Sequence, residues 1–236
     1  MPKFINLKTQ SEPRAIFVLG LMYFVYALCT SFAIQIYIVP KIFPHFNLGE
    51  GLIILDSTGF NQIAKMKTIE IMEKGWRAWE LRPKGQSPAG IASIFYSLWI
   101  PKPYSLLPFN ALVHALSGCL VFWLLCHFFS WWPAVLGSTL FVLNPAAMEW
   151  VAQIHRDGVF ILGNLMVLAC LMQFWKGLQF GMVVTMAWGF VFGMIGTCLV
   201  WVARPQWVQV LMVLLLLYTC LISIYCWATR ARQSEA

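Results

Sequence analysis

Charge is what this sequence has least of. Only 11% of its 236 residues are Asp, Glu, Lys or Arg, against about 25% in an ordinary soluble domain. Acidic residues are scarcer than basic ones, nine against sixteen, and Asp56 and Asp157 are the only aspartates. There is no CxxC pair, no Cys/His cluster with metal-ligand spacing, no repeat and no low-complexity tract. These shortages argue against a soluble enzyme, a disulfide-stapled secreted module, a disordered chain and a structural metal centre. No cofactor is identified, and divalent-metal dependence is left open. What fills the space is apolar: 60% of the residues are hydrophobic, more than one water-exposed domain of this size can bury. The class expected is a polytopic membrane protein.

About 20 apolar residues are needed to cross the hydrocarbon core. Ala15 to Val39 is one uncharged run closed by Pro40, and Pro103 to Met148 holds no Lys, Arg, Asp or Glu. The second run is long enough for two spans, with a turn at Ser130-Trp131-Trp132-Pro133. Gly158–Trp175, Gly177–Ala203 and Pro205–Thr229 follow. The expected architecture is an all-α, polytopic bundle of about six transmembrane helices. A cytoplasmic tail (1–14) leads to a first helix (15–39). A long periplasmic or luminal loop with interfacial helices (40–108) precedes a five-helix bundle (109–229) and a cytoplasmic tail (230–236). The first run is too long for a usual signal-peptide core, and no small-x-small cleavage site closes it.

Lys and Arg in short flanks set the orientation. With the N-terminus inside, Lys3, Lys8, Arg14, Lys176, Arg230 and Arg232 are cytoplasmic, and Arg156 and Arg204 are outside. Both termini are expected in the cytoplasm, in a bacterial inner membrane or an endoplasmic reticulum membrane. The net charge of +7 reflects such anchors and implies no nucleic acid. The seven cysteines lie in apolar spans and read as small buried hydrophobes. Gly189, Gly193 and Thr197 form a small-residue stripe suited to close helix packing, within the bundle or in a homodimer.

The loop from Lys41 to Lys102 holds five of the nine acids and eight basic residues. Gly59 to Lys74 reads as a helix with Phe60, Ile63, Ala64, Ile71 and Met72 near one face. Lys67 and Ile69 interrupt the pattern. Gly75 is a plausible stop. Such a helix suits the membrane interface, its charged face toward water, and Trp76 and Trp79 suit that depth. Ala89 to Ile100 is a shorter apolar stretch, expected to be re-entrant or interfacial. Were it to cross, every later helix would invert.

In this topology Asp56, His155, Arg156, Asp157 and Arg204 all reach the outer face. Ionisable groups at a bundle's edge are costly unless paired or hydrated, and so are candidate functional residues. Structural alternatives stand beside that reading: an Arg156–Asp157 salt bridge, Asp157 or Asp56 as a helix cap, and Arg204 as a snorkelling anchor. His45, His114 and His127 lack metal-ligand partners and read as packing or interface residues. A carboxylate can take the proton of an attacking hydroxyl. Arginine can hold a phosphate in bidentate fashion, and a lipid-borne phosphate sits at this depth.

The order of motifs carries a resemblance. Leu55-Asp56-Ser57…Phe60…Ile63-Ala64 is followed by Gly75-Trp76, then by Gln86-Ser87-Pro88…Phe95-Tyr96-Ser97-Leu98. Asn110-Ala111-Leu112, Asn144-Pro145…Trp150 and Arg156-Asp157-Gly158 come next. From about Ala15 to Pro205 this resembles the N-terminal half of the GT-C membrane glycosyltransferases, which include protein O-mannosyltransferases and the aminoarabinose transferase of lipid A. The resemblance implies transfer of a sugar from a polyprenyl-phosphate donor to an acceptor hydroxyl. Asp56 matches the family's catalytic base in the first outer loop. Arg156, Arg204, His155 and Asp157 are the substrate-binding candidates. Six spans stand where the family usually has ten or more, and Ser57 stands where a second acid often follows the Asp. A non-catalytic, lipid-binding or scaffolding subunit with a membrane-protein partner is therefore a second expectation. A transporter would want inverted repeats and midplane polar residues, and neither is evident.

Overall fold

The computed structural model describes residues 13–234, and side chains through Ile222 together with Ile224. The tail lysines Lys3 and Lys8, and the side chains of Cys226, Arg230 and Arg232, lie outside that description. Among the described residues the chain is all-helical. Its helices are α1 (Pro13–Phe32), α2 (Leu55–Lys74), α3 (Ser87–Leu98), α4 (Leu107–Leu125), α5 (Trp131–Val142), α6 (Pro145–Val151), α7 (Asp157–Phe180), α8 (Val183–Ala203) and α9 (Trp207–Ser234).

Four helical stretches are long and apolar enough to cross a membrane: Arg14–Ile42, Pro103–Leu125, Asp157–Phe180 and Val183–Ala203. A fifth arises if α5 and α6, bent by 55°, form one broken span. The bend has a local cause. Pro145 supplies no amide hydrogen, and the Asn144 side chain instead accepts from the Ala146 amide at 3.1 Å, capping a new helix. The last helix is apolar over Trp207–Ile222, shorter than a span within the residues whose side chains are described. Gly177 does not separate α7 from α8, as the sequence suggests. The break falls at Gly181, whose φ of +65° ends α7 in a left-handed turn.

Beyond Phe32 the first helix widens into a π-helical segment, Ala33–Ile42, which contains Pro40. Proline removes a backbone donor, and a wider turn accommodates the loss. This turn carries Gln35, buried, with its amide donating to the Ala152 carbonyl at 2.8 Å. Gly51 passes so close to Gln35 that a Cβ would collide with its backbone, and its φ of +77° also favours glycine.

The 40–108 segment folds around α2 and α3. Phe60 and Ala64 of α2 meet Ala89, Ala92 and Tyr96 of α3, with Leu52, Leu106 and Ile154 completing the cluster. The apolar face expected to meet lipid therefore packs on α3. The two interruptions in its pattern are explained. Lys67 is buried, held by Glu70 at 2.9 Å and Glu80 at 2.8 Å, whereas Ile69 and Met72 are exposed. The helix also begins earlier than the sequence suggests, at Leu55. Tyr96 donates to Asn61 at 2.7 Å, and Asn61 donates to Glu50, which also pairs with Lys65. At 12 residues, α3 is roughly 18 Å long, too short to cross a bilayer.

Small residues let the backbones of α7 and α8 approach closely. A Cβ on Gly163 would lie 2.8 Å from the Gly196 carbonyl, and one on Gly196 would lie 2.7 Å from the Gly163 carbonyl. Gly189 and Gly193 face Gln173 and Cys170 on α7. The glycine stripe is thus spent within the chain, between α7 and α8. The six described cysteines are free. Only Cys170 is buried, and Cys29, Cys198 and Cys220 are exposed on apolar helices, a correction to the expectation of buried hydrophobes. In a lipid solvent an outward-facing thiol has the same apolar surroundings as a buried one.

Candidate functional site

The site is organised by the short loop between α6 and α7, residues 152–156. It is tied from four directions. Asn110 at the start of α4 donates to the carbonyls of Val151 (3.0 Å) and Gln153 (2.8 Å). Gln35 holds Ala152. Gln153, itself buried, accepts from the Ile53 amide and donates to the Gly51 carbonyl. Ser57 of α2 donates to the Ile154 carbonyl at 3.0 Å. Each bond answers a backbone group that a buried loop would otherwise leave unsatisfied. Together they bring the first turn of α2 to the starts of α4 and α7, and the Arg204–Asp157 pair adds the end of α8.

His155, Arg156, Asp157 and Arg204 stand together here, and Asp56 lies near enough for its charge to act on His155. Neither aspartate is a cap. Ile54 and Arg156 occupy the cap positions of α2 and α7, and neither makes a side-chain capping bond. Each acid instead sits in a first helical turn, where the helix dipole favours negative charge. Asp56 is exposed and lines none of the hollows around the site.

The ion pair is Arg204–Asp157, at 2.6 Å, with both side chains half-buried. An Arg156–Asp157 bridge does not form. Arg204 also lies over the Phe160 ring at 5.2 Å, so its charge is already committed. Arg156 makes no ion pair or hydrogen bond among the described residues. Its Nε is buried without an acceptor. It faces a crevice with Ser87, Asn110 and His155, of about 10 Å³, room for about one water.

His155 Nδ1 accepts from the Asp157 amide at 3.3 Å and lies 3.2 Å from an Asp157 carboxylate oxygen. Burial pushes this imidazole below its ordinary value. Asp157 opposes that shift, and Arg156 and Arg204 add to it. The neutral ring is the form that burial favours. Its ring packs against Trp150 with centroids 4.4 Å apart.

Beyond His155 and Asn110 lies a second hollow of about 200 Å³. Its walls come from α4, the α5–α6 bend and α7, and include His114, Phe141 and Trp150. Another arginine joins this end of the molecule. Arg82 of the loop before α3 lies over the Trp201 ring at 4.2 Å and donates to the carbonyls of Trp201 and Val202. The sequence carries no signal for that contact, because Arg82 looks like any solvated loop cation. Gln153 carries no such signal either, and the motifs that contain Ser57 and Asn110 do not mark them as the residues that tie the loop. Among the described residues no three His, Cys, Asp or Glu side chains converge as a metal site.

No family model, curated protein or solved structure matches the chain.

Proposed function

We propose that this chain acts as a membrane glycosyltransferase. It would move a sugar from a polyprenyl-phosphate donor to an acceptor hydroxyl at the outer or luminal membrane face. The observation that carries the reading is the partnerless guanidinium of Arg156, beside a loop that Ser57 ties to the Asp56 end of α2. A half-buried cation without a protein anion is a receptor for an anion supplied by something else. An apolar bundle with that cation at its edge suits a phosphate carried on a lipid. In the reaction, the acceptor hydroxyl attacks the anomeric carbon as its proton passes to the Asp56 carboxylate. The bond from that carbon to the phosphate oxygen breaks, and Arg156 stabilises the departing lipid phosphate. Arg204 acts one step back, holding Asp157 and thus the start of α7. The bundle adopts six spans, with α2 and α3 on the outer side and both termini in the cytoplasm.

The test uses the full chain in lipid nanodiscs with prenyl-phosphate sugars. Transfer should fall by about 100-fold or more in Asp56→Asn, with the folded yield unchanged. Full-rate transfer by that variant overturns the mechanism.

One feature favours a second reading. Asp56 is exposed and lies outside both hollows, which also fits a non-catalytic subunit that holds a lipid phosphate through Arg156. That reading expects a stable membrane partner to copurify in mild detergent, and an inert chain without it.

A further inference from the structure

The 200 Å³ hollow beside the Arg156 crevice has a lining of unusual chemistry for the interior of an apolar bundle. Asn110 spends both amide protons on loop carbonyls, so Oδ1 remains as an acceptor in the wall shared by the two hollows. His114 is bonded through Nε2 to the Val142 carbonyl at 3.1 Å. A carbonyl only accepts, so Nε2 carries the proton and Nδ1 is a bare acceptor. No other partner for Nδ1 exists among the described residues, and it is not sealed off by protein. His155, in the same shared wall, has Nδ1 engaged by the Asp157 amide and carboxylate and keeps Nε2 as its free ring nitrogen. Two aromatic walls, Phe141 and Trp150, complete the space. Trp150 and Ile161 are both partly exposed at its edge, so the hollow opens sideways between α6 and α7. No carboxylate, lysine or arginine lines it.

We propose that this hollow seats one neutral, hydroxyl-bearing ring, a single sugar, with Asn110, His114 and His155 reading its hydroxyls and the aromatic walls covering its apolar faces. The inference rests on the glycosyltransferase reading for its source of ligand, and adds where the ring sits and which rings are refused. Few convergent polar groups in an otherwise aromatic and apolar cavity are the usual make-up of a specific small-ligand site. A hollow of about 200 Å³ has room for such a ring. With no acid in the lining, an ammonium-bearing amino sugar would be desolvated without a counter-charge. If the ring belongs to the donor, the crevice before Arg156, with room for about one water as it stands, widens to admit the phosphate. An acceptor's sugar would bring no phosphate.

Binding to the full chain in nanodiscs separates these outcomes, read from tryptophan fluorescence. The probes are a short prenyl phosphate, the same lipid carrying a neutral hexose, the same lipid carrying an amino sugar, and a phosphate-free alkyl hexoside. The hexose-bearing phosphate is expected to bind at least tenfold tighter than the bare prenyl phosphate and the aminated one. His114→Phe should erase that difference without weakening the bare phosphate, and Ile161→Trp, which narrows the mouth, should do the same. An alkyl hexoside that binds as tightly, and is indifferent to Arg156→Gln, assigns the ring to the acceptor. Equal affinity of the unmodified chain for sugar-bearing and bare phosphates overturns the proposal, as does a folded His114→Phe that keeps the tenfold preference. Should either variant fail to fold, the comparison on the unmodified chain decides alone. None of these readouts needs turnover, so an inactive chain that shows the preference refutes the catalytic reading and leaves this one standing.

Discussion

Arg204 at the end of α8 and Asp157 at the start of α7 lie 2.6 Å apart, although 47 residues separate them. The pair closes the α7–α8 hairpin at its open end, beyond the close approach of Gly163 and Gly196. It also leaves Arg156, the nearer arginine in sequence, without an anion.

Removing one member of this half-buried pair strands the other. Asp157→Asn and Arg204→Gln should each cost about 1–3 kcal/mol. The double variant should cost less than the sum, with a coupling above about 0.5 kcal/mol. Thermal melts of the four proteins in one detergent give the cycle, and strict additivity would show that the contact carries no energy.

His155 should report on pH. Its folded-state value lies below the ordinary 6.5 because burial disfavours the charged ring, with Arg156 and Arg204 reinforcing and Asp157 and Asp56 opposing. Below 6.5 the unfolded chain takes up the proton first, so stability falls as pH drops through the window beneath 6.5. His155→Gln should flatten that part of the melting-temperature profile between pH 7.5 and 5.5. An unchanged slope would mean the ring is not the group responsible.

The loop between α1 and α4 carries a second pH dependence of a different sort. Lys67 beside it, then Lys74, hold Glu70 below the usual carboxylate value of 4.5. Such a group stabilises the fold above 4.5 and loses that contribution as pH falls through its lowered value. Protection factors in α2, taken against the intrinsic exchange rate at each pH, should therefore fall below pH 4.5, and Glu70→Gln should lower them already at neutral pH. Protection that is independent of pH would remove Glu70 from the list of anchors.

Two glycines should respond oppositely to the same change. Gly163→Ala puts a methyl group 2.8 Å from the Gly196 carbonyl oxygen, a contact that only backbone movement relieves. The expected cost is about 1–3 kcal/mol. Gly59→Ala in α2 meets nothing within 4 Å and should be neutral or stabilise by up to about 1 kcal/mol. Melting temperatures in the same lipid compare the two directly, and equal effects would contradict the close approach.

Much of this site was legible as a set and illegible as a set of partners. The motif around residues 155–158 marks His155, Arg156 and Asp157 as charges at a helix start, and Arg204 before Pro205 marks a helix end. Which arginine meets the acid is another matter. Neighbours in sequence at the entry to a helix point about 100° apart around its axis, so Arg156 is the worse partner for Asp157 despite adjacency. The interruptions at Lys67 and Ile69 were equally opaque. A lysine on the inner face reads as an error of pattern until Glu80, from beyond the helix, is seen beside it. Arg82 needed the end of α8 to be brought to it.

By itself the sequence determined the solvent and the class of structure. Apolar length and scarcity of charge add up residue by residue, and lipid admits helices that satisfy their own backbone. Tertiary structure alone decided which charges neutralise one another, which arginine at the site is left without an anion, and where a polar hollow opens. Those outcomes depend on distances between residues far apart in the chain, and no local sum contains them.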